Sequence, residues 1–166
     1  WPWPRSHPLS LPRKTRCDFV ETRPAIVGDE SGSSRLFPTF GALPGDTGNF
    51  LRTAHDLPPP DEAKTRPSIA ESVAVSALAA TARERRRAVV LLLGESARDE
   101  GRIDAAHVRR YLARIRVPLH VWRISVGESP ALADWPSAVD ASTVEAMGLA
   151  FEALRADLAS QRIVWL

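Results

Sequence analysis

The chain predicts an α/β fold, a Rossmann-like open parallel sheet flanked by helices, with its regular part at residues 68–166 and truncated on its N-terminal side. Three observations predict it. Residues 68–166 read as helix, strand, helix, strand, helix, strand, with connections able to carry crossovers between parallel strands. The run Ala88-Val89-Val90-Leu91-Leu92-Leu93 shows no polar alternation, which is the pattern of a strand covered on both faces. Two capping boxes, Ser68-Ile69-Ala70-Glu71 and Ser142-Thr143-Val144-Glu145, mark where helices begin.

The first helix follows Pro67 for about 16 residues and places Ile69, Val73, Ala77 and Ala80 on one stripe. Its small residues suit close packing on a sheet. After the apolar strand, residues 104–116 fit a second helix with Val108, Tyr111, Leu112 and Ile115 on one face. Residues 118–125 are a second strand carrying Leu119, Val121, Trp122 and Ile124. A third helix from Ser142 presents Val144, Leu149, Phe151, Leu154 and Leu158, and residues 162–166 close the chain as a last apolar strand. Trp122 and Trp165 read as core residues, whereas Trp135, in a Pro-containing loop, reads as exposed.

Residues 1–16 carry prolines at 2, 4, 8 and 12 and form a Pro/Arg-rich tail or linker. Residues 17–166 are read as one domain. Cys17-Asp18-Phe19-Val20 and Ala25-Ile26-Val27 are candidate strands, Arg35-Leu36-Phe37-Pro38 a short edge element, and a brief helix follows Asp46-Thr47. Because three parallel strands are few for a doubly wound sheet, the pieces at 17–27 and 35–40 are expected to add edge strands to it or to cover one side.

The 166 residues, 18.2 kDa, 44% hydrophobic and 25% charged, are ordinary for one globular domain and exclude collagen, coiled coil and a wholly disordered tail. Cys17 is the sole cysteine, so no internal disulfide forms. The chain opens on Trp1-Pro2-Trp3-Pro4 and reads as a segment of a longer protein. Residues 88–93 are too short to span a bilayer, and no direct membrane insertion is expected of this segment. The 20 Arg against 2 Lys read as GC-rich codon usage. Charge is uneven: residues 1–60 carry a net +1, 61–124 a net +5 and 125–166 a net −4. With a total of only +2 and no aromatic residues interleaving the Arg cluster, nucleic acid is not an expected partner.

The string Arg85-Arg86-Arg87-Ala88-Val89-Val90-Leu91-Leu92-Leu93-Gly94, followed by Val108-Arg109-Arg110-Tyr111-Leu112 and Val117-Pro118-Leu119-His120-Val121-Trp122, resembles the C-terminal half of a von Willebrand factor type A domain of the bacterial VWFA-related group. The similarity is good over residues 84–124, weaker over 65–83 and 142–166, and lacking in 1–60. The resemblance implies a metal-ion-dependent adhesion site, where hydroxyl and carboxylate oxygens hold Mg²⁺ and leave a coordination place for a ligand carboxylate. In the aligned positions the family's Asp falls on Gly94 and its Thr on Pro67, neither of which bears a side-chain oxygen. Ser68 or Thr65, and Glu95 or Asp99, stand nearby as substitutes.

Ala25-Ile26-Val27-Gly28-Asp29-Glu30-Ser31-Gly32-Ser33 supplies the remaining part, an apolar run followed by D-x-S-x-S. Asp29, Ser31 and Ser33 are therefore the candidate metal ligands. Asp29 stands fewer than 40 residues before Pro67, too few for the helix and two strands the family places there, and Asp and Ser also recur in ordinary polar turns.

Gly94-Glu95-Ser96-Ala97-Arg98 lies where a serine hydrolase places its nucleophile elbow, G-x-S-x-G, with Arg98 replacing the second Gly. His107 is too near in sequence, and His120 lies inside the next strand. The four His, at 7, 55, 107 and 120, have no metal-ligand spacing, and no dinucleotide or P-loop motif occurs. Arg83, Arg85, Arg86 and Arg87 follow a helix end, where they complement its dipole or form a patch for an acidic partner. These features predict a non-enzymatic protein–protein interaction or scaffolding domain without a required cofactor. Its ligand is expected beyond the strand ends, near Gly94 to Arg98 and Ser125 to Ser129. The alternatives are an Mg²⁺-dependent adhesion module using Asp29, Ser31 and Ser33, and a serine hydrolase using Ser96.

Overall fold

The computed structural model describes residues 17–20, 22, 25–27, 34–37, 39–41, 66–81 and 85–162. The chain divides into two compact units, Trp1–Arg66 and Pro67–Leu166. In the first, β1 (Asp18–Val20) pairs antiparallel with β4 (Thr39–Gly41), and β2 (Ala25–Val27) pairs antiparallel with β3 (Ser34–Leu36). The apolar pieces expected as strands are strands. Among the described residues they pair with one another and add none to the three-stranded parallel sheet of the second unit. The β2/β3 pair lies in sequence between the strands of the β1/β4 pair, so once it forms the outer pair has less chain to close. The helix expected after Asp46 and, apart from Arg162, the closing strand expected at 162–166 lie outside the described residues.

The second unit is mixed α/β. Its elements are α1 (Ile69–Thr81), β5 (Val89–Leu93), α2 (Ala105–Arg114), β6 (Leu119–Arg123), a 3₁₀ turn (Pro130–Ala133), β7 (Val139–Asp140) and α3 (Val144–Ser160). All three strands are parallel, with Leu91 opposite Val121 and Trp122 opposite Val139. The two-residue β7, exposed along its length, carries no apolar periodicity by which its sequence could announce it.

One face of the sheet carries α1 and α2. Val89, Leu91 and Leu93 alternate toward it and join Val121, Ile69, Val73, Ala77, Val108 and Leu112 in a single core. The other face carries α3, where the Trp122 and Phe151 rings meet at 5.3 Å between centroids, tilted by 53°. Val90 and Leu92 lie on that face and are half-buried, so β5 alternates in burial where an evenly covered strand was predicted.

Two side chains leave the stripes assigned to them. Tyr111 is exposed at the edge of the α2 face, and Leu149 is 74% exposed while Met147, Ala150, Phe151 and Leu154 are buried. The seventeen residues of α3 meet only one sheet face, so apolar residues outside that arc stay in solvent. Trp135 corrects the opposite way: it is 0% exposed and belongs to the α1/α2 core. The 3₁₀ turn carries it inward, with Trp135 N donating to Ala131 O at 3.1 Å.

α2 starts on Asp104, whose side chain accepts from Ala106 N at 2.6 Å, and α3 starts on Thr143, which accepts from Ala146 N at 3.1 Å. The cap of α3 is thus one residue later than the predicted Ser142. α2 ends in a left-handed cap: Arg116 has φ 54°, its N–H donates to Ala113 O, and Val117 N donates to Leu112 O. Glycine is the residue that normally fills this position, and an L side chain there costs about 1 kcal/mol.

Trp135→Ala should destabilise the chain by about 3–5 kcal/mol in urea unfolding, the range for emptying a buried aromatic site. A loss under about 1 kcal/mol would place Trp135 at the surface after all. Arg116→Gly should leave the melting temperature unchanged or raise it. A clear fall would mean the Arg116 side chain holds the fold.

Candidate functional site

The strand ends converge where β5 runs into residues 94–104 and β6 into 124–138. The two loops predicted to face a ligand do meet, and they bond to each other. Ser96 N donates to Glu128 O at 3.0 Å, Ala131 N to Ala97 O at 2.9 Å, and the Ser129 hydroxyl to Ala97 O at 3.4 Å. Glu95 lies across Gly127 so closely that a Cβ on Gly127 would fall 2.6 Å from Glu95 Cγ. This edge is closed by its own hydrogen bonds.

Pro67 and Gly94, the positions that would hold a Thr and an Asp in an adhesion site, are also brought to this edge. Glu100 N donates to Pro67 O at 2.8 Å, and Asp99 reaches the start of α1. Its carboxylate accepts from Ile69 N at 3.0 Å, Ala70 N at 2.8 Å and Gly101 N at 3.0 Å. Asp99 is therefore the cap of α1. The predicted box, with Glu71 reaching back to Ser68, does not form: Glu71 Oε1 accepts from Arg102 N at 2.6 Å instead. A carboxylate from a crossing loop meets two orphan donors at once, which a local serine cannot match. Among the described residues no group of three or more His, Cys, Asp or Glu is placed to hold a metal ion. Asp29, Ser31 and Ser33 lie outside the described residues, between the paired strands β2 and β3.

Ser96 is exposed, with φ 59° in the left-handed region. His120 lies opposite Val90, at the far end of the strands, and its Nε2 stands 3.1 Å from Asp157 Oδ2 on α3. His107 sits on the exposed side of α2, 3.6 Å from Asp104. Neither imidazole hydrogen-bonds Ser96: their partners are Asp157 and Asp104. In the first unit, burial and then the charge of Asp18 push the Cys17 thiol up, which disfavours a reactive thiolate.

Beside these loops an open recess of about 310 Å³ is lined by Arg123, Leu132, Trp135, Pro136, Ser137, Ala138 and Asp140. Arg123 ends β6 and Asp140 ends β7, and their side chains pair at 3.5 Å. Ser142 holds the Asp140 carboxyl below its ordinary range through its hydroxyl and its backbone amide, and Arg123 adds to this. The lining residues come from four short pieces joined by sheet register, and sequence gave no signal for them beyond the strand ends.

A group whose folded pKa is depressed contributes stability above its unfolded value and loses it as pH falls through the folded one. Ser142→Ala should therefore raise the Asp140 midpoint seen by NMR and reduce stability near neutrality. The two proteins should converge well below pH 4, and an unmoved midpoint would remove Ser142 as the cause. At Gly101 an added Cβ would lie 2.0 Å from Glu71 Oε2 and 3.0 Å from Asp99 Oδ1. Gly101→Ala should destabilise by about 1–3 kcal/mol, and Glu71→Ala in the same chain should recover part of that loss. Simple additivity of the two substitutions would show that they do not collide.

No family model, curated protein or solved structure matches this chain.

Proposed function

We propose that this chain is a non-enzymatic protein-binding or scaffolding domain, resembling a von Willebrand factor A domain whose metal site has degenerated. What carries the reading is the engagement of Asp99. The Asp99 carboxylate, in the loop bonded to Pro67, is held by three backbone amides, so it serves α1 in place of a cation. Supporting this, the loops where an open α/β sheet presents its chemistry are bonded to each other.

The hydrolase reading draws on one observation, the left-handed φ of Ser96 directly after β5. Against it stand Arg98 in place of the elbow glycine and His120 at the opposite end of the sheet.

Thermal unfolding of the whole chain in EDTA and in millimolar Mg²⁺, Ca²⁺ and Mn²⁺ should give one melting temperature. A native-state cation at 100 times its Kd would add about 2.7 kcal/mol. A cation-specific rise that disappears in Asp29→Ala would replace the proposal with an adhesion module. A fluorophosphonate probe should leave Ser96 unlabelled, and stoichiometric labelling of folded protein would replace it with a hydrolase.

A further inference from the structure

The parallel topology brings three arginine-bearing segments to the edge of the sheet opposite the expected site. Residues 85–88 lead into β5, residues 114–117 end α2, and residues 161–162 end α3. They are joined there: Arg87 N donates to Gln161 Oε1 at 3.0 Å, Gln161 Nε2 donates to Arg87 O at 3.0 Å, and the Arg87 guanidinium donates to Ile115 O at 3.4 Å. Around that junction Arg85, Arg86, Arg114, Arg116 and Arg162 are exposed. None of the five has an acidic partner among the described residues. The acidic group of the last turn of α3, Asp157, is held by His120 at 3.1 Å and Gln161 at 3.4 Å.

Arg116 carries a second, independent sign. It occupies the left-handed cap of α2 that glycine fills with least strain, so the side chain is kept there against the preference of the backbone. We propose that this arginine edge is the docking surface of the domain and that its partner is an acidic polypeptide segment rich in Asp and Glu. The inference rests on the protein-binding reading and names its surface.

Guanidinium forks match carboxylates in a bidentate way that lysine cannot, and both lysines of the chain lie in the first unit. A single-stranded nucleic acid needs successive aromatic platforms. Among the described residues this end of α2 offers Tyr111 alone, 37% exposed. The opposite edge exposes Glu95, Glu100, Asp104, Glu128, Asp134 and Asp140 alongside Arg98 and Arg102, a net negative balance that favours an anionic partner at the arginine edge.

The test is fluorescence anisotropy of a twelve-residue Glu-rich peptide with the full chain at low salt. Controls are a Lys-rich peptide and a twelve-nucleotide oligothymidine. The Glu-rich peptide should bind, and raising the salt should weaken it. Arg114→Gln with Arg116→Gly should reduce affinity about fivefold or more, with the melting temperature held. Arg98→Gln with Arg102→Gln, at the other edge, should leave the affinity unchanged. No peptide binding, equal loss from both pairs, or tighter binding of oligothymidine through Arg114 and Arg116 would each overturn the proposal. These outcomes are separable from failure of the protein-binding reading, because Ser96 labelling and cation-dependent stability do not involve this edge.

Discussion

A carboxylate thirty residues downstream holds the start of α1. The first turn of a helix leaves backbone donors without intrahelical acceptors, and buried Ile69 and Ala70 cannot give theirs to water. Asp99 takes both and also binds Gly101 N, so the loop after β5 is fixed to the helix before β5. That fixes its neighbours. Gly101 must lack a side chain because Glu71 lies against it, and Ala97, in the same loop, accepts two hydrogen bonds from the loop after β6. The α1 layer, the strand-end loops and the 3₁₀ turn carrying Trp135 are thereby one connected structure.

Periodicity was enough to read the three helices and the strands β5 and β6, because each buries a regular set of positions. Val108 with Leu112 and Val73 with Ala77 lie at helical spacing and are buried together. Where the reading went astray, the deciding contact lay far away in sequence. Ser68 and Glu71 form a plausible local box, yet Asp99 displaces it with a charged acceptor from another loop. Trp135 sits among Asp134, Pro136 and Ser137, which look like surface, and only the turn at Pro130–Ala133 directs its ring into the core. Leu149 belongs to an apolar helix that has only one sheet face to cover.

The same distinction applies to the site. Convergence of residues 94–98 and 125–129 was legible, since parallel strands place their following loops on one edge. Their mutual hydrogen bonding was not, because backbone groups carry no sequence signature. The recess at Arg123 and Asp140 depends on β7, whose two residues have no period to detect. The arginines were visible as a cluster at 83–87. Arg83 lies outside the described residues, and the union of Arg85, Arg86 and Arg87 with Arg114, Arg116 and Arg162 required knowing that α2 and α3 end beside the start of β5.

That union has a cause in the topology. Helices α2 and α3 run back against the strands they follow, so their C-termini, each equivalent to about half a negative charge, lie at the edge where β5 begins. Arginines there are stabilised in the last helical turn, which accounts for Arg114. It does not account for Arg85 and Arg86, which lie beyond the last turn of α1 at Thr81, or for Arg116, whose backbone would relax as glycine. Helix dipoles falling off within one turn leave those charges unexplained by the fold alone. An anionic group arriving from outside would complement all of them at once, and the net negative balance of exposed groups at the opposite edge favours its approach from this side.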